Sequence, residues 1–481
     1  MLLLLALVAL PRVFLASTEH GTNHPDEIFQ MLEPAHRWVY GFGIQSWEFR
    51  DGARSWLLPG ALALLWKMLA WLGLSSPLLV VPILRMPFVA LAVYSAYLAA
   101  RLAGKWAGET AAMLALAFAA FAPLALLLDF RTTTEAASVP FVLLALLSLA
   151  DRKPARAGAF LALLVFLRPT NGIVGLTAAA WLLVERRFRE AARLALGALP
   201  VAVAGGLLDW ATWGSPFHHL VEYARFNWLE SGASLFGSEQ AWFFGLVLLS
   251  TAPVVALLLL PGTIALLRKQ REARTALAVA WVYLLFHSIV GHKEPRFLLP
   301  ILALLSGLSA AGIVLWVGPW FRKRVTTAPA RDTLLVATAA ALLAFGMLRA
   351  RGFTYGDLWE PRGEANYHVL FGKRAAVNRM LAKAGDDPNL CGMLIMGLMP
   401  NELFSGGMTY LHRDVILASP HDRQAWPMAS QAANYAIAPA RVVPPGWHRV
   451  AQLDEVALVS RPGDCLVVPE QYRQTYLRPH R

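Results

Sequence analysis

Two clusters of ionisable residues stand out in a chain that is otherwise mostly apolar. The first is His24-Pro25-Asp26-Glu27-Ile28-Phe29-Gln30, continued by Glu33-Pro34-Ala35-His36. The second is Gly291-His292-Lys293-Glu294-Pro295-Arg296-Phe297-Leu298. Carboxylates dominate the first, and a carboxylate is suited to taking a proton from a hydroxyl. Cations dominate the second, and Lys and Arg are good phosphate ligands, Arg through its two-pronged fork. Transfer of a group from a phosphate-bearing lipid would use both.

Within the first cluster, His24 stands where a helix cap belongs and Pro25 suits the first helical position. Asp26, Gln30 and Glu33 then fall at i, i+4 and i+7, one polar face of a short helix. Such a face could carry a general base and hydrogen-bond a sugar. The plainer alternative is that Asp26 and Glu27 only complement the helix dipole, worth about 0.3–1 kcal/mol. For residues 291–296 the plainer alternative is a solvated loop whose charges pair among themselves. Two more cations are expected on the same side as that loop. They are Arg131, within Asp129-Phe130-Arg131-Thr132-Thr133-Thr134-Glu135, and Arg168, within Arg168-Pro169-Thr170-Asn171-Gly172. Arg85 lies inside an apolar run, where a charge is expensive and usually faces a bundle interior, unless it snorkels to the surface.

The elements that must position these residues are membrane helices. Of 481 residues, 57% are hydrophobic and 15% charged, against about a quarter charged in soluble proteins. Apolar runs near 2–17, 77–100, 110–128, 137–150, 156–167, 172–184, 194–212, 242–267, 275–290, 297–317 and 333–348 predict about 11 spans. The fold class is therefore an α-helical polytopic membrane protein, 1–348, followed by a distinct region, 349–481. The net charge of +12 would point a soluble chain toward nucleic acid. Here the Lys and Arg crowd into alternate short loops, which marks those loops as cytoplasmic and leaves no nucleic-acid partner implied. Both clusters and the C-terminal region then face the other side. The N-terminus has no basic leader and is interrupted by Pro11-Arg12, so an uncleaved first helix is expected rather than a signal peptide.

The loop 18–76 is expected to be a folded extracytoplasmic element. Its apolar stretch 59–73 has Lys67 in the middle and Trp56, Trp66 and Trp71 around it, which suits a helix lying in the membrane interface. Breaks such as Arg168-Pro169 imply a polar cavity within the bundle, because irregular backbone at membrane depth needs polar partners. Residues 349–481 are less apolar, with β-prone runs at 394–396, 449–459 and 465–468, and are expected to form a small α/β domain. The only cysteines, Cys391 and Cys465, could pair in an oxidising compartment or remain as buried thiols. The abundance of Ala, Leu, Arg and Trp fits a GC-rich bacterial genome.

No Walker loop, dinucleotide fingerprint, His-Glu-x-x-His pair or Gly-x-Ser-x-Gly elbow occurs. Asp26 and Glu27 could hold a divalent ion, but no second set of metal ligands is apparent and no cofactor is otherwise implied. The sequence resembles glycosyltransferase family 22, the α-mannosyltransferases of glycolipid-anchor and lipid-linked oligosaccharide assembly. The resemblance rests on His24 to Gln30, Glu33 to His36, Tyr40-Gly41-Phe42-Gly43, Ser46-Trp47-Glu48, Arg54-Ser55, Arg168-Pro169-Thr170, the stretch from Asp209 to Gly237, and His292 to Phe297. It departs at Pro295, where the family often has Glu, and at Trp213, where Tyr is common.

The resemblance implies a GT-C fold, a polyprenyl- or dolichyl-phosphate-mannose donor, an inverting transfer and a glycolipid or lipid-linked glycan acceptor. It makes Asp26 the general base. Glu27, Gln30 and Glu33, with His24 and His36 nearby, would position substrate. Lys293 and Arg296, helped by His292, Arg131 and Arg168, would receive the lipid phosphate. A bacterial inner membrane is the expected location, or the endoplasmic reticulum in a eukaryote. The rival readings are a glycolipid transporter, which also uses intramembrane charge and broken helices, and a related enzyme using another lipid-phosphate sugar.

Overall fold

The computed structural model describes residues 2–324, 334, 341, 374–396, 405–419 and 430–466. The span expected near 333–348 lies outside them, apart from Leu334 and Ala341. The chain divides into two compact units, Met1–Phe14 with Met86–Phe353, and Leu15–Arg85 with Thr354–His480.

The first unit is helical. Among the described residues three helices, Pro77–Ala107, Phe188–Trp213 and Pro295–Trp316, are long and apolar enough to cross a bilayer alone. Phe243–Thr251 and Pro253–Lys269, bent by 115°, count as a fourth if they form one span. Shorter apolar helices include Glu109–Ala120, Thr134–Ala150, Pro154–Leu167 and Pro169–Val184. The outer face of Phe188–Trp213 is apolar yet open: Leu196, Leu199, Val203, Leu207 and Trp210 are 51–66% exposed, as side chains meeting lipid would be. Along the helix Leu299–Arg324, by contrast, Leu302, Leu305 and Leu308 are buried. Gly158 and Gly197 lie against the backbones of Leu194 and Ala155, where a Cβ would have no room. Small residues let membrane helices approach this closely.

The apolar stretch expected as one helix over 110–128 is two, Glu109–Phe121 and Pro123–Leu128. Pro123 has no amide proton with which to continue the ladder. Beside this break, the Ala120 carbonyl accepts from the Arg12 guanidinium at 2.9 Å. Arg12 is buried, grips both oxygens of Asp129 at 2.7–3.0 Å, and donates to the Val8 carbonyl. The residue that interrupts the first apolar run thus ties it to a break in another.

The second unit joins the first loop to the C-terminal region. Its N-terminal part holds a π-turn, Glu27–Leu32, and the helices Glu33–Tyr40, Trp47–Arg50 and Leu57–Trp71. The last of these buries Leu62, Ala63, Trp66 and Leu69 while Leu64, Met68 and Trp71 are 58–86% exposed. One face packs on protein and the other is apolar and open, as an interfacial helix requires. The Lys67 ammonium sits 5.0 Å from the centre of the Trp38 ring.

The C-terminal part carries the helices Ala375–Gly385 and Gly407–Leu411 and a sheet of β1 (Gly392–Ile395), β2 (Ile416–Ala418), β3 (Tyr435–Pro439), β4 (His448–Leu453) and β5 (Val456–Ser460). The strand order is β2-β1-β3-β5-β4, with β1 parallel to β2 and β3, and β5 antiparallel to β3 and β4. Its core is Leu394, Ala418, Ala436, Trp447, Ala457 and Val459. The run 449–459, expected as one strand, turns back on itself at Asp454, whose φ is +51°. Pairing of Leu453 with Val456 makes a hairpin of it. Cys465 and Leu466 lie beyond β5 rather than in a strand, and 467–468 fall outside the described residues. Cys391 and Cys465 form a disulfide across 74 residues, with Cα atoms 5.8 Å apart.

Candidate functional site

The chemistry-bearing residues of the second unit start at His24. Its Nδ1 accepts the Asp26 amide at 3.2 Å, so the side chain caps the helix that Pro25 opens. That nitrogen is also 3.5 Å from Asp26 Oδ1. Because it is already an acceptor, we take the cap and not an ion pair as its role. Asp26 is 9% exposed and Glu27 is sealed.

The next turn is a π-turn, in which the Glu33 amide donates to the Ile28 carbonyl five residues back. Such a turn advances each side chain through a smaller angle than an α-turn, so Asp26, Gln30 and Glu33 do not share the face that α spacing predicts. Gln30 Nε2 donates to Glu48 Oε1 at 2.9 Å. Glu33 is turned elsewhere. Its Oε2 accepts the Ile44 amide and its Oε1 the Thr409 amide, both at 2.7 Å. Glycine makes this possible on both sides: a Cβ on Gly43 would stand 3.0 Å from Oε2, and one on Gly407 2.6 Å from Oε1. Burial pushes the Glu33 acid up to about 7, against the pull of the amides of Thr409 and Ile44. Glu33, expected to meet a sugar hydroxyl, here clamps two distant segments of backbone.

Glu27 is committed too. Its Oε1 pairs with the Arg85 guanidinium at 2.9 Å, with both side chains buried. Arg85 therefore faces inward and does not snorkel. One oxygen of Glu27 is thus already committed to a cation. Among the described residues no three His, Cys, Asp or Glu side chains converge as metal ligands. His36, fully buried, meets the Phe42 carbonyl through Nδ1 at 3.1 Å and His412 through Nε2 at 3.0 Å. Burial, with His412 beside it, holds the His36 imidazole down to about 3. It is neutral at ordinary pH and serves as a link to the segment after Gly407–Leu411.

Glu33→Gln tests the clamp. Whichever way the amide is turned, its NH2 faces a backbone N–H, leaving a buried donor unsatisfied at about 1–3 kcal/mol. A lower thermal midpoint of the purified protein is the expected result, and an unchanged midpoint would refute the clamp.

The first unit gathers the cations. Arg168 Nη1 and Arg296 Nη1 both reach Glu135 Oε1, the second at 3.0 Å. Arg296 Nε also pairs with Glu294 Oε2 at 2.5 Å, and Glu294 Oε1 meets His292 Nε2 at 2.9 Å. Both guanidiniums lie over the Phe297 ring, at 4.3 and 5.4 Å. Lys293 Nζ donates to the carbonyls of Glu239 and Gly291 at 2.6 and 3.3 Å. Arg131 is buried, its Nε on the Leu127 carbonyl at 3.0 Å. The spans of Arg168 and Arg296 thus meet on one carboxylate, Glu135. In the sequence Glu135 merely closes a run of Thr residues, with no spacing that marks it as a hub.

A model of the Alg9-like mannosyltransferase family matches residues 2–358. GPI mannosyltransferase 3 of Yarrowia lipolytica is 30% identical over 353 residues, 69% of this chain and 66% of that protein. GPI mannosyltransferase 3 of Drosophila melanogaster is 28% identical over 367 residues, 72% of this chain and 60% of that protein. The chain thus spans just under two thirds of the length of these relatives. The crystal structure of ArnT from Cupriavidus metallidurans bound to undecaprenyl phosphate shares the fold. Its TM-score is 0.60 at 15% identity, over 95% of this chain and 97% of that one. The Archaeoglobus fulgidus oligosaccharyltransferase follows at TM-score 0.52 and 13% identity, over 91% of this chain and 69% of that one. With the family model running through both ionisable clusters, the chain belongs to the Alg9-like mannosyltransferase family.

Proposed function

We propose that this protein transfers mannose from a polyprenyl- or dolichyl-phosphate-mannose donor to a hydroxyl of a glycolipid or lipid-linked glycan, with inversion. The observation that carries this reading is the cluster Asp26, Gln30 and Glu48, nearly buried and polar, held at the start of the first loop. Asp26 takes the proton from the acceptor hydroxyl as its oxygen attacks the anomeric carbon. The bond from that carbon to the phosphate oxygen breaks, and the lipid phosphate leaves with the electron pair. Lys293, Arg168 and Arg296 of the helical unit suit that anion through charge-assisted hydrogen bonds. Glu27 and Glu33 brace the loop, the first through Arg85 and the second through the amides of Ile44 and Thr409.

The extracytoplasmic face is the second part of the proposal. It is supported by the loop-charge asymmetry and by the Cys391–Cys465 disulfide, since such bonds persist in oxidising compartments. Nucleotide sugars are generally confined to the other side, which favours a lipid-phosphate donor. The bound undecaprenyl phosphate of the ArnT relative agrees with that donor class. We also propose that the shorter apolar helices complete about 11 spans, as the charge alternation requires, in a bacterial inner membrane or its eukaryotic counterpart.

The test offers purified protein a mannosylated glycolipid acceptor with either polyprenyl-phosphate-mannose or GDP-mannose, free of any lipid-phosphate-mannose synthase. Transfer from the lipid donor alone is expected. Transfer from GDP-mannose alone would sink the mechanism.

A further inference from the structure

Glu48 belongs to the helix Trp47–Arg50 and is 3% exposed. One of its oxygens, Oε1, is held by Gln30 Nε2 at 2.9 Å. The other, Oε2, is buried with no hydrogen-bond partner among the described residues, although the Ser46 hydroxyl, likewise buried and unpartnered there, lies near enough to act on this carboxyl. Leaving a buried carboxyl oxygen unsatisfied costs roughly 1–3 kcal/mol, more if it is charged. Natural structures rarely keep such an atom without a use. Asp26 stands close enough for its charge to act on this carboxyl, and Arg54 lies on the same residue's horizon from the following loop. The neighbourhood is therefore polar, confined and next to the proposed base.

We propose that Glu48 is a substrate-binding residue whose Oε2 takes a sugar hydroxyl, and that Gln30 is the positioning residue that aims it. This rests on the glycosyl-transfer reading above and extends it to a residue assigned no role by the sequence. A sugar hydroxyl is the group that suits the atom, since it can both donate and accept and so match either protonation state of the acid. Burial pushes the Glu48 acid up to about 7, with Asp26 adding to the rise and Arg54 and Ser46 opposing it. At neutral pH both states are within reach.

The Gln30 contact explains why Oε2 and not Oε1 is the working atom. It also gives the π-turn Glu27–Leu32 a purpose, because that turn sends Gln30 toward Glu48 while Glu33 is directed to Ile44 and Thr409.

The experiment measures kcat/KM for wild type, Glu48→Ala and Glu48→Asp against a panel of monodeoxy analogues. One arm of the panel removes hydroxyls from the acceptor sugar, the other from the donor mannose. In wild type, one deletion is expected to lower kcat/KM about 10–100-fold, the loss of one buried hydrogen bond. In Glu48→Ala the parent substrate falls to that level and the same deletion costs nothing further. The arm in which this occurs identifies the sugar that Glu48 reads. Glu48→Asp keeps the carboxyl but draws both of its oxygens back by one methylene, so it should lose the same discrimination in a protein that still folds. It decides the matter should Glu48→Ala not fold. A penalty uniform across all analogues, in either variant, marks a structural residue and overturns the proposal. Wild-type protein that moves no mannose from the lipid donor overturns the function reading itself, and Glu48's role with it.

Discussion

Asp26→Asn is expected to lower turnover about 10²–10⁴-fold, the usual cost of a lost general base. The variant should still fold. His24 Nδ1 accepts from the residue 26 amide, which the change does not touch, and Asn is well suited to the beginning of a helix. What disappears is basicity, leaving the acceptor hydroxyl to lose its proton unaided. The comparison needs matched amounts of folded protein and both substrates at saturation. Wild-type turnover in the variant would leave Asp26 with no more than a dipole-complementing role.

The second large effect is one of stability. Glu27→Ala leaves the Arg85 guanidinium buried 1% exposed without the carboxylate that now faces it at 2.9 Å. Breaking a buried pair from one side costs about 3–5 kcal/mol, and Arg85 would then rely on its other contacts, such as the Glu19 carbonyl. Arg85→Met should cost a similar amount by stranding Glu27. The double variant Glu27→Leu/Arg85→Met should recover much of the loss, since apolar side chains of similar volume need no partner. Thermal unfolding of the purified variants separates the cases. Single variants that melt like the wild type, or strictly additive losses in the double, would show that the pair carries no such burden.

Much of the first loop was legible because its signals are local. A histidine before a proline marked the cap, and the tryptophans around Lys67 marked the helix Leu57–Trp71. The helical breaks were less legible. Pro123 sits in an unbroken apolar run, and the partner that accommodates the break, Arg12, comes 111 residues earlier in the sequence. The fates of the carboxylates were hidden for a different reason. Spacing alone treats Glu27, Gln30 and Glu33 as members of an α-helix, and the π-turn redistributes them among Arg85, Glu48 and two backbone amides. Glu135 shows the same limit: no periodicity reveals that two arginines from separate elements will share one oxygen. The hairpin at Asp454 was missed because apolar alternation continues through the turn.

The clamp around Glu33 has a consequence for how the protein is made. Its Thr409 amide lies 376 residues further along the chain, and His36 waits for His412 across the same interval. At synthesis rates of about 5–20 residues per second, the first loop emerges roughly 20–75 s before its partners exist. Throughout that time a carboxylate and an imidazole meant for a sealed interior must stay hydrated. The loop carrying the proposed base is therefore among the first segments made and among the last completed. A chain interrupted before residue 405 would leave Glu33 and His36 without the Thr409 amide and His412 that they hold in the finished fold.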